Sequence, residues 1–156
     1  MSIKRTIYIF ILGMALLSQG CSQVQSDLDK IELATLDGER INMNDFKGKI
    51  VFMNFWATWC KPCIQEMPTI AKAQEQLKGQ DIVFLFPSEE DEDLIRAFKE
   101  KKDFDFNYVQ ARNISALNIQ ALPTTFIFNP NGERVFSEAG FRDWSTPENL
   151  ALIRGN

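Results

Sequence analysis

Ile50-Val51-Phe52-Met53-Asn54-Phe55-Trp56-Ala57-Thr58-Trp59-Cys60-Lys61-Pro62-Cys63 decides the fold. Ile50 to Trp56 is a nearly unbroken apolar run of the length of a strand covered on both faces. A helix is expected to follow from about Cys60 to Lys78, because Ile64, Met67, Ile70, Ala71 and Leu77 recur at helical spacing and Gly79 supplies a stop. Pro68 falls inside it, where its missing N–H and its ring predict a kink. Two cysteines separated by two residues at such a strand–helix junction can close a small disulfide, reopen it and pass two electrons.

Working outward, Ile31–Leu36 and Arg40–Met43 flank Asp37-Gly38 and predict a hairpin, followed by a turn over 44–48. Past the helix, strands are expected at Asp81–Phe86, Phe106–Gln110 and Thr124–Phe128, with Pro123 opening the last. Glu89–Lys102 reads as a helix whose acidic start and basic end suit its dipole, and Ile114–Asn118 as a shorter one. Asn129–Gly132 is a tight turn leading to a hairpin partner at Glu133–Ser137, and Pro147–Arg154 is a last helix capped by Thr146. The alternation predicts an α/β domain: a mixed sheet with helices on both faces and an added N-terminal β-hairpin.

The chain has 156 residues, 45% of them hydrophobic, thirteen Phe and three Trp, enough for one well-filled core. Its net charge of -4 and lack of any basic cluster argue against nucleic acid as a partner. The absence of His removes the commonest general base and metal ligand. Lys4 and Arg5 followed by the apolar run Ile7–Leu17 read as an export signal over residues 1–20, too short to span a bilayer comfortably. Ser18-Gln19-Gly20-Cys21 then resembles the cleavage site of bacterial lipoproteins, which implies lipid on Cys21, a tether over 21–29 and a domain over 30–156. Ser18 stands where that pattern usually has Leu; an ordinary cleaved signal that leaves Cys21 free and an uncleaved anchor are the alternatives. Removal of residues 1–20 leaves 15 basic and 21 acidic residues, so membrane attachment would rest on lipid rather than on charge.

The spacing of the pair has a mechanical reason. At a helix start it puts Cys60 at the exposed end and Cys63 one turn in, where free N–H groups and the helix dipole favour a thiolate. Cys60 is the expected nucleophile and Cys63 the residue that resolves the mixed disulfide. Lys61 is read either as a charge that lowers the Cys60 pKa or as a solvated surface cation. Pro62 limits backbone freedom between the sulfurs, or is an ordinary first-turn proline. A zinc site would need two further ligands, and a second CxxC and His are both missing. Haem attachment would need His where Ile64 stands. No cofactor beyond the Cys60–Cys63 disulfide and no metal are expected.

KGKIVFMNFWATWCKPCIQEMPTI and, after about sixty residues, ALPTTFIFNPNGE together resemble the thioredoxin superfamily, in its TlpA/ResA-like branch of exported thiol–disulfide oxidoreductases. The resemblance covers residues 30–154. It implies a cis-proline at Pro123 beside the cysteines, substrate pairing along the backbone of Leu122, and packing of Trp59 over the site. It also implies that Glu66, three residues past Cys63, tunes the protonation of the cysteines; the alternative is an acid that only favours the helix dipole. Asn54 replaces the buried Asp of thioredoxin proper, which leaves Glu66 as the candidate proton relay and Asn54 as a buried amide or a tuning group. The branch further implies a membrane-anchored lipoprotein on the periplasmic side of the cell envelope. It would reduce specific exported proteins, for example in cytochrome c maturation, and be recharged by a membrane thiol donor. Two other functions are weighed. A thiol peroxidase would usually have Thr or Ser where Ala57 stands. A non-enzymatic metal- or partner-binding lipoprotein would have no use for an intact CxxC.

Overall fold

A computed structural model describes residues 26–156; the expected signal over 1–20 and Cys21 lie outside the described residues. The elements are β1 (Leu33–Ala34), β2 (Ile50–Phe55), α1 (Lys61–Gln76), β3 (Ile82–Ser88), α2 (Glu92–Lys101), β4 (Tyr108–Ala111), β5 (Thr124–Phe128), β6 (Arg134–Ala139) and α3 (Pro147–Arg154). Single turns of 3-10 helix occur at Leu28–Lys30, Met43–Phe46 and Ile114–Leu117. The strands form one six-stranded mixed sheet in the order β1-β4-β3-β2-β5-β6. β2 runs parallel to β3 and antiparallel to β5. This is the expected α/β architecture, with the apolar run 50–55 at its centre.

The alternation of β2 divides the core. Phe52 and Trp56 join the layer under the helices, with Met67, Ile70, Ile95, Trp144 and Ile153. Val51, Met53 and Phe55 point to the other layer, with Leu28, Leu33, Met43, Phe126 and Phe128. Each fully buried Phe, Met or Ile contributes about 1.5–3 kcal/mol of transfer free energy. Trp56 is the core residue that the apolar run predicts, its indole N–H donated to the Phe86 carbonyl at 3.1 Å.

All three α-helices pack on one face. On the other face the expected helical cover consists of 3-10 turns, with Leu28, Met43 and Ile114 as their buried residues. The N-terminal hairpin contracts to a single bridge, Ala34 to Arg40, while β1 pairs with β4. The physical reason is local: Thr35 Oγ1 accepts the N–H groups of Asp37 and Glu39, so the Asp37-Gly38 turn forms, and Asn42 then caps the next 3-10 turn instead of extending a strand. α1 runs through Pro68 and ends near its expected limit, with Leu77 as its C-cap.

Leu28 lies within the stretch expected as tether and is 1% exposed. Its N–H bonds to the Gly132 carbonyl at 3.1 Å, in the turn between β5 and β6. Gly132 has φ +79°, and a Cβ there would meet Ser26 Oγ at 2.9 Å, so the turn is shaped to receive this segment. No helix among the described residues is long and apolar enough to cross a membrane.

Candidate active site

Cys60 and Cys63 are joined by a disulfide, with Cα atoms 5.3 Å apart. Cys60 occupies the N-cap of α1 in extended conformation and accepts the Cys63 N–H on its sulfur at 3.3 Å. Pro62 sits in the first turn, where a missing N–H costs nothing. The spacing predicts an exposed Cys60; in the disulfide form Cys60 is 3% and Cys63 0% exposed. The Cys60 sulfur is turned onto the helix end by these two contacts, away from solvent. Trp59 is instead the exposed residue, at 72%, and Lys61 and Pro62 are exposed beside it.

The Leu122–Pro123 peptide is cis. Pro123 is buried and its carbonyl accepts the Gly140 N–H at 2.8 Å, whereas Leu122 stands just before β5, outside the ladder. A cleft of about 340 Å³ runs beside the cysteine arm, with Trp59 and Leu122 among its walls and Ile114, Ile119 and Glu90 completing it. The structure thus lines one cleft with Trp59 and Leu122, two of the three residues expected to meet substrate; the third, Pro123, is buried next to Leu122 and is not among the cleft's walls.

Glu66 lies one turn beyond Cys63 and is fully buried. Its Oε2 accepts from Asn54 Nδ2 at 3.0 Å. Its Oε1 accepts from Trp144 Nε1 at 2.7 Å and from the Arg142 backbone N–H at 3.1 Å. Burial pushes its carboxyl above the ordinary glutamate range, and the bonds from Trp144, Asn54 and Arg142 act against that rise. Asn54 gives its other N–H to Thr125 Oγ1 at 2.9 Å, leaving its Oδ1 buried without a partner. Glu66 is therefore a buried acid in a cage of three donors, in a position to hold a proton near the inner cysteine's helix turn.

Trp144 and Arg142 of this cage, and Thr125 behind Asn54, were not singled out by the sequence. One signal was available: a Trp in the polar segment Phe141–Thr146 needs a partner for its N–H if it is buried. Glu90 and Thr58 were missed as well. Glu90 Oε2 accepts the Thr58 N–H and its Oε1 accepts the Thr58 hydroxyl, both at 2.6 Å. Nothing in a surface acidic run marks out its second residue.

The AhpC/TSA family model matches residues 24–134. The Thioredoxin-like protein YneN of Bacillus subtilis (strain 168) is 40% identical over 105 residues, 64% of this chain and 62% of that protein. The Thiol-disulfide oxidoreductase ResA of the same organism is 34% identical over 115 residues, 70% of this chain and 64% of that protein. The chain thus spans less than two thirds of the length of these two relatives. A crystal structure of a thiol:disulfide interchange protein of the thioredoxin family from Chlorobium tepidum TLS superposes with a TM-score of 0.66. That match covers 78% of this chain and 91% of that one at 23% identity, a likeness of fold. With more than two thirds of its length inside the family match and relatives of the YneN and ResA kind, the chain belongs to the AhpC/TSA family of thioredoxin-like proteins.

Proposed function

We propose that the protein is an exported thiol–disulfide oxidoreductase that reduces disulfides of specific partner proteins. The observation that carries this reading is the Cys60–Cys63 disulfide at the N-terminus of α1, beside the cleft formed by Trp59 and Leu122. The names of the ResA relatives support it.

In the proposed reaction the Cys60 thiolate attacks one sulfur of a substrate disulfide. A Cys60–substrate disulfide forms and one substrate thiolate leaves. Cys63, as thiolate, then attacks Cys60 Sγ, closing the internal disulfide and expelling the second substrate thiolate. Two electrons pass to the substrate, and a membrane dithiol donor restores the pair. The helix N-terminus and Lys61 favour the Cys60 thiolate. Glu66, with its raised affinity for protons, takes up and returns the proton of Cys63. Pro62 holds the sulfurs in reach, and Trp59, Leu122 and Pro123 hold an extended substrate segment. In this reading residues 1–20 are an export signal and 21–29 a lipidated tether on Cys21. The enzyme works at the periplasmic face of an envelope membrane, with cytochrome c maturation as one setting.

The test is Cys63→Ser, which lets Cys60 form a mixed disulfide but removes the sulfur that resolves it. Capture of envelope proteins on Cys60 is expected, reversible by reductant; an absence of captured thiols defeats the reading. Rapid consumption of hydroperoxide by the reduced wild-type protein would instead favour the peroxidase function.

A further inference from the structure

We propose that Glu90 is a positioning residue for disulfide exchange: it clamps Thr58 and so sets the wall that Trp59 forms opposite Leu122. The inference rests on the oxidoreductase reading above. Thr58, Trp59 and Cys60 form an arm between β2 and α1, outside both elements. An arm of this kind has no ladder to fix it. Within it, the Cys60 N–H bonds to the Ala57 carbonyl, and at its root the Trp56 N–H bonds to the Pro87 carbonyl.

Glu90 supplies the brace from outside. Its two oxygens accept the backbone N–H and the hydroxyl of one residue, Thr58, at 2.6 Å each. Bonds to an ionised carboxylate are the strong class, and two of them to one residue fix direction as well as distance. Glu90 is itself held: Ser88 Oγ donates to its Oε2 at 3.2 Å and accepts its N–H at 3.3 Å, and Ser88 is fully buried at the end of β3. The chain of contacts therefore runs from the rigid sheet through Ser88 and Glu90 to the residue preceding Trp59. Trp59 and Glu90 line the same cleft as Leu122. A partner segment entering that cleft meets a wall whose position depends on Glu90, and small displacements of a reacting arm are costly to rate.

The test compares two disulfides with the reduced full-length protein. Hydroxyethyl disulfide is too small to fill the cleft; a peptide disulfide with apolar residues on both sides of its cysteine is not. Glu90→Gln keeps an oxygen for the Thr58 N–H but turns the second bond round, so that the Thr58 hydroxyl accepts from a neutral amide and the charge-assisted pair of bonds is lost. The expected result is a loss of about tenfold in the exchange rate with the peptide, with hydroxyethyl disulfide changed less than about twofold. Thr58→Val, which loses the hydroxyl only, falls in the same direction, and Thr58→Ser, which keeps both donors, restores the wild-type rate. The double variant loses less than the sum of the two. If Glu90→Gln does not fold, Thr58→Val and Thr58→Ser carry the same comparison. Equal loss on both disulfides, strict additivity or no loss overturns the role of Glu90. Failure of the wild-type protein with both disulfides strikes the oxidoreductase reading instead.

Discussion

Trp144 donates its indole N–H to Oε1 of Glu66 at 2.7 Å, joining residues 78 positions apart in the chain. Asn54 meets the other oxygen. The last loop and the central strand therefore close on one carboxylate beneath the first turns of α1, and four consequences of the architecture can be measured.

Glu66→Gln should remove a pH dependence. Burial raises the Glu66 pKa above its ordinary 4.5, so the folded state binds the proton more tightly than the unfolded one. That contribution is fully present below 4.5 and is lost as pH rises through the raised folded value. Urea unfolding of the wild type should show falling stability across this window, and Glu66→Gln should flatten it. The variant keeps Oε1 for Trp144 and Arg142, and its new amide can meet Asn54 Oδ1 if that amide reverses, since this oxygen has no partner in the wild type. The Cys63-dependent resolution step should slow by about 10²-fold, as read by decay of the mixed disulfide.

Trp144→Phe keeps the ring but removes the donor. Trp144 is 1% exposed and meets Phe52 edge-on, with centroids 4.8 Å apart, so most packing survives. The lost bond should cost about 1.5–3 kcal/mol at pH values above the raised Glu66 pKa, where the carboxyl is charged. Part of this should return on acidification, because a protonated Glu66 needs the donor less. A uniform loss at all pH values would place the cost in packing alone.

Asn54→Asp puts a second carboxylate within hydrogen-bond distance of Glu66 and deletes the donors to Glu66 and Thr125. Two close buried carboxyls share a proton, and the pair should titrate higher than Glu66 alone. Stability at pH 8 should fall by about 3 kcal/mol, with recovery near pH 5. Denaturant melts at the two pH values check the sign.

Gly132→Ala should loosen the N-terminal segment. The added Cβ would fall 2.9 Å from Ser26 Oγ, and φ of +79° costs a non-glycine residue about 1–2 kcal/mol. Limited proteolysis should cut sooner before Leu28, while disulfide exchange at the far end of the sheet stays at the wild-type rate.

The legible parts were those written in local chemistry. The apolar run 50–56, the helical spacing after Cys63, the turn at Asn129–Gly132 and the cap at Thr146 each carry their own signal, and the structure has an element at each. Glu66 and Asn54 were marked, each separately, by the resemblance to the thioredoxin superfamily. Their bond was not, because it depends on the register of β2 against α1. The partner of Trp144 and the role of Glu90 were out of reach for a similar reason: each acts across a tertiary contact from a loop, and only Trp144 carries a local signal that it needs a partner. The hairpin at Asp37-Gly38 forms but is short: Thr35 N–H bonds to the Glu39 carbonyl and Ile41 N–H to the Leu33 carbonyl, while β1 also pairs with β4. The exposure of Cys60 was overread, because helix position says which turn a sulfur occupies and not whether the disulfide tucks it inward.

The docking of Leu28 on the Gly132 turn fixes which end of the sheet the N-terminal segment leaves from. β2 pairs Phe55 with Thr124 at the cysteine end and Val51 with Phe128 at the other, so Gly132 lies at the pole opposite the disulfide. Five residues from Cys21 to Ser26 reach at most about 18 Å, and β5 alone adds about 17 Å of height. If Cys21 carries lipid as proposed, the cysteines look outward from the bilayer like a lamp on a short post. On that proposal an electron donor in the same membrane would meet them through a part that stands above the lipid surface.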